Sequence, residues 1–321
     1  MSQHLTPDDL VDMFGANAAE AAAIAADMSI YDFEFTPFDQ MARDAAMLNV
    51  LKRIDGFQQV GAHRAGIWRM AWEDVATRYR ESGGQPASLE PHFIGGTPIV
   101  RLRGNYAQPV DPRFELNFFR VLRAWLFRRF ITPEVRVVHE FGAGSGYNMV
   151  ALAGMRPDLQ LYCWDWAETA VDLVRQVRVD HNLPLASGRF DFFDPAPNME
   201  LEADSVVFTF CALEQVGARF NTFIDWLVTQ RPRLGIHTEP VEEFYDDQDL
   251  FDYMALKYHR HRGYLTGLQP HLASLAAAGK AVIHHQRRLG LGSLFHEGFN
   301  LLVWSPTGLA PTGLSESSSA V

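Results

Sequence analysis

The residues with the clearest chemical meaning are three glycines at alternate positions, Gly142, Gly144 and Gly146. They follow an apolar run at residues 137–141 that is typical of a buried strand, and a helical pattern, residues 149–155, comes after them. A glycine has no Cβ, so it can take φ > 0 and lets a ligand come close to the backbone. Strand, glycine turn and helix in this order are typical of a unit that binds a nucleotide.

A carboxylate follows at a spacing that strengthens this interpretation. Residues 159–165 are predicted to form the next strand, and that strand ends in Asp165, 19 residues beyond Gly146. A spacing of about 20 residues is expected for a carboxylate that accepts hydrogen bonds from ribose hydroxyls. The two features together favour a mononucleotide or dinucleotide site over a simple tight turn between a strand and a helix.

The segment Glu140–Gly146, which reads Glu-Phe-Gly-Ala-Gly-Ser-Gly, resembles motif I of the class I S-adenosylmethionine-dependent methyltransferases, E/D-x-G-x-G-x-G. The nicotinamide fingerprint is spaced G-x-G-x-x-G, and its third glycine would fall on Tyr147 or on Met149. The spacing therefore favours the methyltransferase motif. The resemblance covers about residues 130–305 and is specific for the cofactor rather than for the methyl acceptor.

The resemblance implies S-adenosylmethionine as the cofactor and assigns a residue to each of its parts. The amino-acid end would meet Glu140 and the glycine backbone, the ribose would meet Asp165, and the adenine would meet the end of the third strand. The register there is open, because Asp194 could take the place of Asp191. The implied cofactor residues are Glu140, Gly142, Gly144, Gly146, Asp165, Trp166, Asp191, Phe192 and Cys211.

A general base is needed only if the acceptor loses a proton during attack. His237 and Glu239 lie two residues apart in a predicted strand and so share a face, which makes His237 the best candidate base. A hydrogen-bonded structural histidine is the alternative. Glu214 and Gln215 stand where many relatives carry a histidine pair, a departure that argues against a histidine base there. The predicted catalytic residues are His237, Glu214 and Glu239.

Polar side chains of both signs surround the predicted crevice and favour a small polar acceptor, either amino-acid-like or a natural-product intermediate. The candidate acceptor contacts are Gln215, Tyr245, Tyr258 and Arg262, with a solvated helix face as the alternative for the last two. His237, Glu239 and His259 could in principle hold a divalent metal ion. No compact metal motif supports this alternative, so no metal is predicted.

The elements that must position these residues alternate between strand and helix from residue 136, which predicts an α/β fold with a largely parallel sheet. Only residues 290–298 separate the last two strands, too few for a crossover helix, so the last strand should run antiparallel. The predicted strands are 136–141, 159–165, 189–193, 204–210, 234–239, 281–288 and 299–304, and the predicted helices are 146–155, 168–181, 217–230 and 248–279.

Three parts of the chain are expected. Residues 1–130 form a mainly helical N-terminal segment, for which the resemblance implies a role as an acceptor lid or in a homodimer. Residues 131–305 form the cofactor-binding core, and residues 306–321, rich in serine, form a disordered tail.

The composition and charge of the chain argue against nucleic-acid-binding and membrane-spanning proteins. The 321 residues carry a net charge of −11, which argues against a nucleic-acid partner. No apolar run reaches the ~20 residues of a membrane span, and the acidic N-terminus does not resemble a signal peptide, so a cytoplasmic protein is predicted. Cys163 and Cys211 are expected to be small buried side chains rather than a disulfide or a metal pair.

The sequence therefore predicts a methyltransferase that acts on nitrogen or oxygen of a small polar metabolite. A nicotinamide-dependent oxidoreductase on a Rossmann sheet is the first alternative, and the glycine spacing argues against it. The second is a non-catalytic scaffold with a methyltransferase-like fold.

Overall fold

The computed structural model describes residues 1–91, 98–195 and 199–307. The strands are β1 Gln3–His4, β2 Glu34–Pro37, β3 Val100–Leu102, β4 Asn105–Pro109, β5 Val137–Phe141, β6 Gln160–Asp165, β7 Leu185–Arg189, β8 Val206–Phe210, β9 Leu234–Glu239, β10 Ala281–Arg287, β11 Leu291–Gly292 and β12 Asn300–Pro306. The helices are α1 Pro7–Phe14, α2 Ala21–Met28, α3 Gln40–Arg53, α4 Ala65–Glu81, α5 Phe114–Phe130, α6 Tyr147–Met155, α7 Glu168–His181, α8 Asn221–Gln230, α9 Leu250–Arg262 and α10 Leu268–Ala277. None of the helices in these ranges has the length and apolarity needed to cross a bilayer.

Seven strands form the central sheet, in the order β10-β12-β9-β8-β5-β6-β7. The pairs from β9 through β7 are parallel, whereas β12 runs antiparallel to both β9 and β10. This confirms the predicted α/β fold with an antiparallel last strand. The chain extends from β5 to β6 and β7 on one side, and then returns to β8 and β9 on the other. The order therefore reverses at β5, and such a switch point is where ligands bind in open α/β sheets.

Burial of the central strands agrees with a sheet covered on both faces. All residues of β9 and of β12 are buried, as expected where helices or other layers cover both faces. The long helix α5 is buried almost all round, with thirteen of its seventeen residues out of solvent. Because its aromatic and aliphatic side chains are enclosed on every side, α5 joins the N-terminal segment to the core in one hydrophobic cluster.

Beside helices α1 to α5 the N-terminal segment carries part of a second sheet, in the order β1-β2-β4-β3-β11, which was not predicted from the sequence. All four pairings in it are antiparallel, and β11 comes from the connection between β10 and β12. These strands have two to five residues, too few for an alternating pattern to appear. A buried ion cluster lies beside β3: Arg101 contacts Asp252 at 3.2 Å and Glu297 at 3.6 Å, and Arg288 binds both acids.

Two predicted elements differ from the structure. The third core strand is Leu185–Arg189 rather than 189–193, because Leu-Ala-Ser-Gly-Arg pairs with β6 while the more strand-like aromatic run beyond it forms a loop. The predicted helix 248–279 is two helices, because Gly263, at φ 63°, ends α9 in a left-handed cap and Gly267, at φ 90°, starts α10. Most of the predicted tail, residues 308–321, lies outside the described residues.

Candidate functional site

A cavity of about 300 Å³ lies at the carboxyl ends of β5, β6, β7 and β8, where the strand order reverses. The start of α4 and the residues before it contribute Gly61, Ala65, Trp68 and Trp72 to its walls. Seven of the residues predicted to bind the cofactor or the acceptor line this cavity: Gly142, Asp165, Trp166, Asp191, Phe192, Cys211 and Gln215.

The glycine turn needs glycine for steric reasons. Gly142, Gly144 and Gly146 have φ of 74°, 53° and 74°, in the left-handed region. A Cβ on Gly142 would lie 2.4 Å from the Cβ of Ala212, and one on Gly144 would lie 2.3 Å from the ring of Trp72. The turn is therefore packed between the loop after β8 and helix α4. Gly142 lines the cavity, whereas Gly144 and Gly146 shape the turn behind it.

Asp165, at the end of β6, is held by the backbone around the turn. Its Oδ2 accepts a hydrogen bond from the N–H of Gly144 and its Oδ1 accepts one from the N–H of Ala167, each at 2.9 Å. Burial raises the pKa of this carboxyl to about 6. Each carboxylate oxygen can accept further hydrogen bonds, so Asp165 can receive two hydroxyl donors from a ligand in the cavity.

Glu140 lies behind the glycine turn and is not among the residues that line the cavity. Its Oε1 accepts a hydrogen bond from Asn148 at 2.7 Å, and Arg123 donates to the same amide at 3.0 Å. Its Oε2 is buried without a hydrogen-bond partner, and burial raises the pKa of Glu140 to about 8. Contact between Glu140 and a ligand ammonium group stays a prediction.

The loop after β7 supplies the side of the cavity predicted to hold adenine. Asp191 lines the cavity and accepts a hydrogen bond from the N–H of Phe193 at 2.9 Å, whereas Asp194 does not line it. Contact of Asp191 with adenine stays a prediction. Phe192 packs edge-on against Phe223 at 4.8 Å, so it contributes both to the core and to the cavity wall.

The loop after β8 begins at Cys211, which has a positive φ of 50°. Its thiol donates to the carbonyl of Gly298 at 3.2 Å, and burial raises its pKa well above the usual value. Both described cysteines are free, as predicted. Glu239 holds the next residues, because its two carboxylate oxygens accept the N–H groups of Ala212 at 3.1 Å and of Glu214 at 3.3 Å.

His237 is fully buried, and both of its ring nitrogens are engaged. The indole N–H of Trp304 donates to Nε2 at 2.9 Å, so the ring hydrogen sits on Nδ1 and donates to the hydroxyl of Thr209 at 2.9 Å. Thr209 in turn donates to Glu239. Burial lowers the pKa of His237 to about 3. The structure thus supports the alternative of a structural histidine over a catalytic base.

We expect Thr209→Val to destabilise the protein by about 1–3 kcal/mol, because it leaves the buried Nδ1–H of His237 without a partner and removes one hydrogen bond to Glu239. Chemical denaturation measures the loss. The control is Thr229→Val, on an exposed part of α8, where the hydroxyl bonds only the carbonyl of Trp226 within its own helix. Equal stability of the two variants would contradict the hydrogen-bond chain.

Glu214 is half-buried. It does not line the cavity, but its neighbour Gln215 does. Gln215 donates to Oε1 of Glu214 at 2.7 Å, and Arg64 donates to the amide oxygen of Gln215 at 2.9 Å. Burial, with the charge of Glu239 as a second cause, raises the pKa of Glu214 to about 8, and burial raises that of Glu239 to about 7. At neutral pH the pair therefore retains a proton.

The raised pKa values of these buried carboxyls predict how the stability of the protein depends on pH. Glu140, Glu214 and Glu239 bind protons more tightly in the folded state than in the unfolded state, so stability present at low pH is lost as pH rises through 7 to 8. Buried histidines such as His237 oppose this only below about pH 6.5. Between pH 6.5 and 8.5 we expect the free energy of unfolding to fall by about 2–4 kcal/mol.

Urea denaturation at pH 6.5, 7.5 and 8.5 tests this dependence. Glu140→Gln and Glu214→Gln should each flatten the curve, whereas Glu168→Gln, at an exposed surface ion pair, should leave its slope unchanged. Stability that is flat or rises over this interval in the wild-type protein would be inconsistent with buried, proton-retaining carboxyls.

The remaining predicted acceptor contacts, Tyr245, Tyr258 and Arg262, are not among the residues that line the cavity. The hydroxyl of Tyr245 accepts the N–H of Glu297 at 2.7 Å, and Arg262 donates to the hydroxyl of Tyr264 at 3.1 Å. Tyr258 stacks on Phe295 with ring centroids 5.1 Å apart. Direct contact of Tyr245, Tyr258 or Arg262 with an acceptor stays a prediction.

The alternative metal site is not assembled. Nε2 of His259 lies 3.2 Å from Nδ1 of His296, and His259 is not grouped with His237 and Glu239. Within the described ranges, the one group of potential metal ligands is His4, Asp32 and Glu34, at the surface of the N-terminal sheet.

Trp68 and Trp72 line the site but were not predicted to do so. Their four-residue spacing on α4 is a visible signal, since it places two aromatic rings on one helix face. Nothing local, however, distinguishes such a pair from a core contact, and the contact with Gly144 joins positions far apart in the chain.

No family model and no curated protein sequence matches the chain. Many of the similar solved structures are methyltransferases that depend on S-adenosylmethionine. One is magnesium protoporphyrin IX methyltransferase from Synechocystis PCC 6803 with bound S-adenosylhomocysteine, 13% identical over 83% of this chain and 98% of that chain, with a TM-score of 0.42. Another is a putative sarcosine dimethylglycine methyltransferase from Galdieria sulphuraria, 12% identical over 60% and 87%, with a TM-score of 0.45.

A third similar structure is described as the cyclase SpnF, 10% identical over 60% of this chain and 82% of that chain, with a TM-score of 0.45. Similarities at this level concern the general arrangement of strands and helices. A function for this chain therefore has to be argued from the residues of its own site.

Proposed function

We propose that the chain is an S-adenosylmethionine-dependent methyltransferase that acts on nitrogen or oxygen of a small molecule. The observation that carries this proposal is the cavity at the switch point, whose walls unite the ends of four parallel strands. Four lining residues would each meet one part of the cofactor. Gly142 exposes its backbone, Asp165 accepts hydrogen bonds from the ribose, and Asp191 accepts a hydrogen bond from the adenine. Cys211 begins the loop beside the reacting centre.

The residues present fit the cofactor. Gly142 lines the cavity with its backbone, and Ala212 packs where a Cβ on Gly142 would stand. Asp165 is oriented by two backbone N–H groups and keeps acceptor capacity toward the cavity. Trp166 and Phe192 offer ring faces or edges for a purine.

The charge of the lining favours this cofactor over a nicotinamide dinucleotide. Asp165 and Asp191 are acidic, and among the described residues no lysine, arginine or histidine lines the cavity. A pyrophosphate group needs donors or positive charge nearby. A ligand with a sulfonium and an ammonium group suits an acidic lining better.

When bound, S-adenosylmethionine supplies an electrophilic methyl group on a good leaving group. The chain's own residues position the reactants, which accounts for much of the acceleration in such a transfer. Glu239 holds the backbone of the loop after β8, and Glu214, which is bonded to the cavity-lining Gln215, is the proposed proton acceptor. We assign the cofactor to the core, residues 131–305, and assign a lid over the acceptor to the N-terminal segment, residues 1–130.

Calorimetric titration with S-adenosylhomocysteine, with NADH in parallel, tests the proposal. We expect micromolar binding of S-adenosylhomocysteine alone. Binding of NADH alone would overturn the proposal in favour of hydride transfer, and binding of neither by the folded protein would overturn it in favour of the scaffold. Binding of the first without any methyl transfer to a broad set of acceptors would also favour the scaffold.

A further inference from the structure

The cavity has two halves, on either side of the glycine turn. Asp165, Trp166 and Asp191 follow β6 and β7, which lie on one side of β5 in the sheet. Phe210 and Gln215 belong to the end of β8 and the loop after it, on the other side of β5. The first half fits the nucleoside of the proposed cofactor, so the second half is left for the acceptor.

Trp68 belongs to the acceptor half, because Arg64 connects it to that loop. The guanidinium of Arg64 donates to the amide oxygen of Gln215 at 2.9 Å and lies 5.6 Å from the ring centroid of Trp68. Trp72, one helical turn further along α4, instead packs against Gly144 in the glycine turn. The indole of Trp68 and the ring of Phe210 are thus the large apolar surfaces of the acceptor half.

The polar groups of this half are few. Gln215 lines the cavity, and behind it stands Glu214, bonded to its amide at 2.7 Å. Arg64 and Arg262 lie close enough to Glu214 to stabilise its charged form, while Glu239 opposes it. The hydrogen-bond chain from Glu214 through Gln215 to the guanidinium of Arg64 thus already links the carboxyl pair to a cation of the protein. An ammonium group on the acceptor is not required to balance it, which favours a neutral acceptor.

We propose that the acceptor is a neutral, planar aromatic molecule with a phenol-like hydroxyl or a ring N–H. This inference rests on the proposed function. Its ring packs against Trp68, and its proton is directed at Glu214. In the transfer the acceptor oxygen or nitrogen forms the bond to the methyl carbon, and its proton passes to Glu214 in the fraction of the protein in which that carboxyl is ionised. The electrons of the broken carbon–sulfur bond stay on sulfur, which leaves neutral S-adenosylhomocysteine.

Calorimetry with three probes on protein saturated with S-adenosylhomocysteine tests the acceptor class. The probes are 2-naphthol, its saturated counterpart decahydro-2-naphthol, and the cation phenyltrimethylammonium. We expect 2-naphthol to bind at least about tenfold more tightly than either of the other probes. Decahydro-2-naphthol has no aromatic ring to stack, and phenyltrimethylammonium carries a positive charge that does not suit a site for a neutral acceptor. Equal binding of 2-naphthol and its saturated counterpart, or stronger binding of the cation, would overturn the inference.

Variants at Trp68 test whether the acceptor ring packs against this side chain. Trp68→Ala should lower the affinity for 2-naphthol about tenfold and leave that for S-adenosylhomocysteine unchanged, and Trp68→Phe should restore most of the loss. Ile67→Ala, at the exposed neighbouring position of α4, should change neither affinity. Equal loss of both ligands in Trp68→Ala would assign Trp68 to the cofactor half and overturn the inference.

The two proposals fail in distinguishable ways. If the protein does not bind S-adenosylhomocysteine, the proposed function fails and the acceptor class falls with it. If it binds S-adenosylhomocysteine but not 2-naphthol, the inference on the acceptor alone is overturned. As a chemical readout, Glu214→Gln should keep 2-naphthol binding within about threefold but shift the pH profile of any methylation upward, because the acceptor must then lose its proton to solvent.

Discussion

Asp165→Ala should weaken the binding of S-adenosylhomocysteine by about 100-fold or more. The side chain lines the cavity at the end of β6, where its two oxygens can accept the ribose hydroxyls. Each hydrogen bond to a charged acceptor contributes about 1.5–3 kcal/mol, so the loss of one or two reaches this factor. Calorimetric titration of the variant against the wild-type protein measures it.

Two further variants distinguish a loss of cofactor binding from a loss of folding. Asp165→Asn keeps the shape and one acceptor oxygen, so its loss should be smaller than that of Asp165→Ala. Asp172→Ala, at a surface ion pair on α7, should leave the affinity unchanged. Asp165 also accepts the N–H groups of Gly144 and Ala167, so thermal unfolding of each variant is needed alongside. Unchanged affinity in folded Asp165→Ala protein would contradict the site assignment.

Gly142→Ala should both destabilise the protein and abolish cofactor binding. The residue has φ 74°, which costs an L-residue roughly 1–2 kcal/mol, and its new Cβ would lie 2.4 Å from the Cβ of Ala212. Overpacking of this kind adds about 1–3 kcal/mol, so a loss of about 2–5 kcal/mol is expected in urea denaturation. The new methyl group would also displace Ala212, which lines the cavity together with Gly142.

The chain offers a matched control for this substitution. Gly154 lies within α6, and a Cβ there would meet no atom within 4 Å. Gly154→Ala should therefore stabilise the protein by about 0.5–1 kcal/mol and leave ligand affinity unchanged. If Gly142→Ala behaved like Gly154→Ala, the close packing of the turn against the loop after β8 would be refuted.

Much of the cofactor half could be predicted because its signals are local. The glycine turn and Asp165, at the end of the next strand, lie within a single strand–helix–strand unit. Their spacing alone therefore places them at one edge of the sheet. Helix α5, Phe114–Phe130, likewise lies between two local signals in the sequence, because Asp111-Pro112 is typical of a helix start and Thr132-Pro133 of a helix end.

The acceptor half depends on contacts that no local pattern contains. His237 and Glu239 do share a strand face, but the hydroxyl and the indole that occupy His237 come from β8 and β12. Gly235 leaves room for Trp304 to lie across β9, since a Cβ there would be 2.7 Å from its indole nitrogen. Trp68 likewise reaches the site through folding of the N-terminal segment. Sequence periodicity shows which face a side chain takes, not which distant group meets it.

A crystal structure of the protein with S-adenosylhomocysteine tests the central claim most directly. The account predicts the ribose hydroxyls within hydrogen-bond distance of Asp165, the adenine beside Asp191 and Phe192, and the sulfur near the loop that starts at Cys211. Density for the ligand elsewhere, or a ribose that does not contact Asp165, would contradict the assignment of this cavity as the cofactor site.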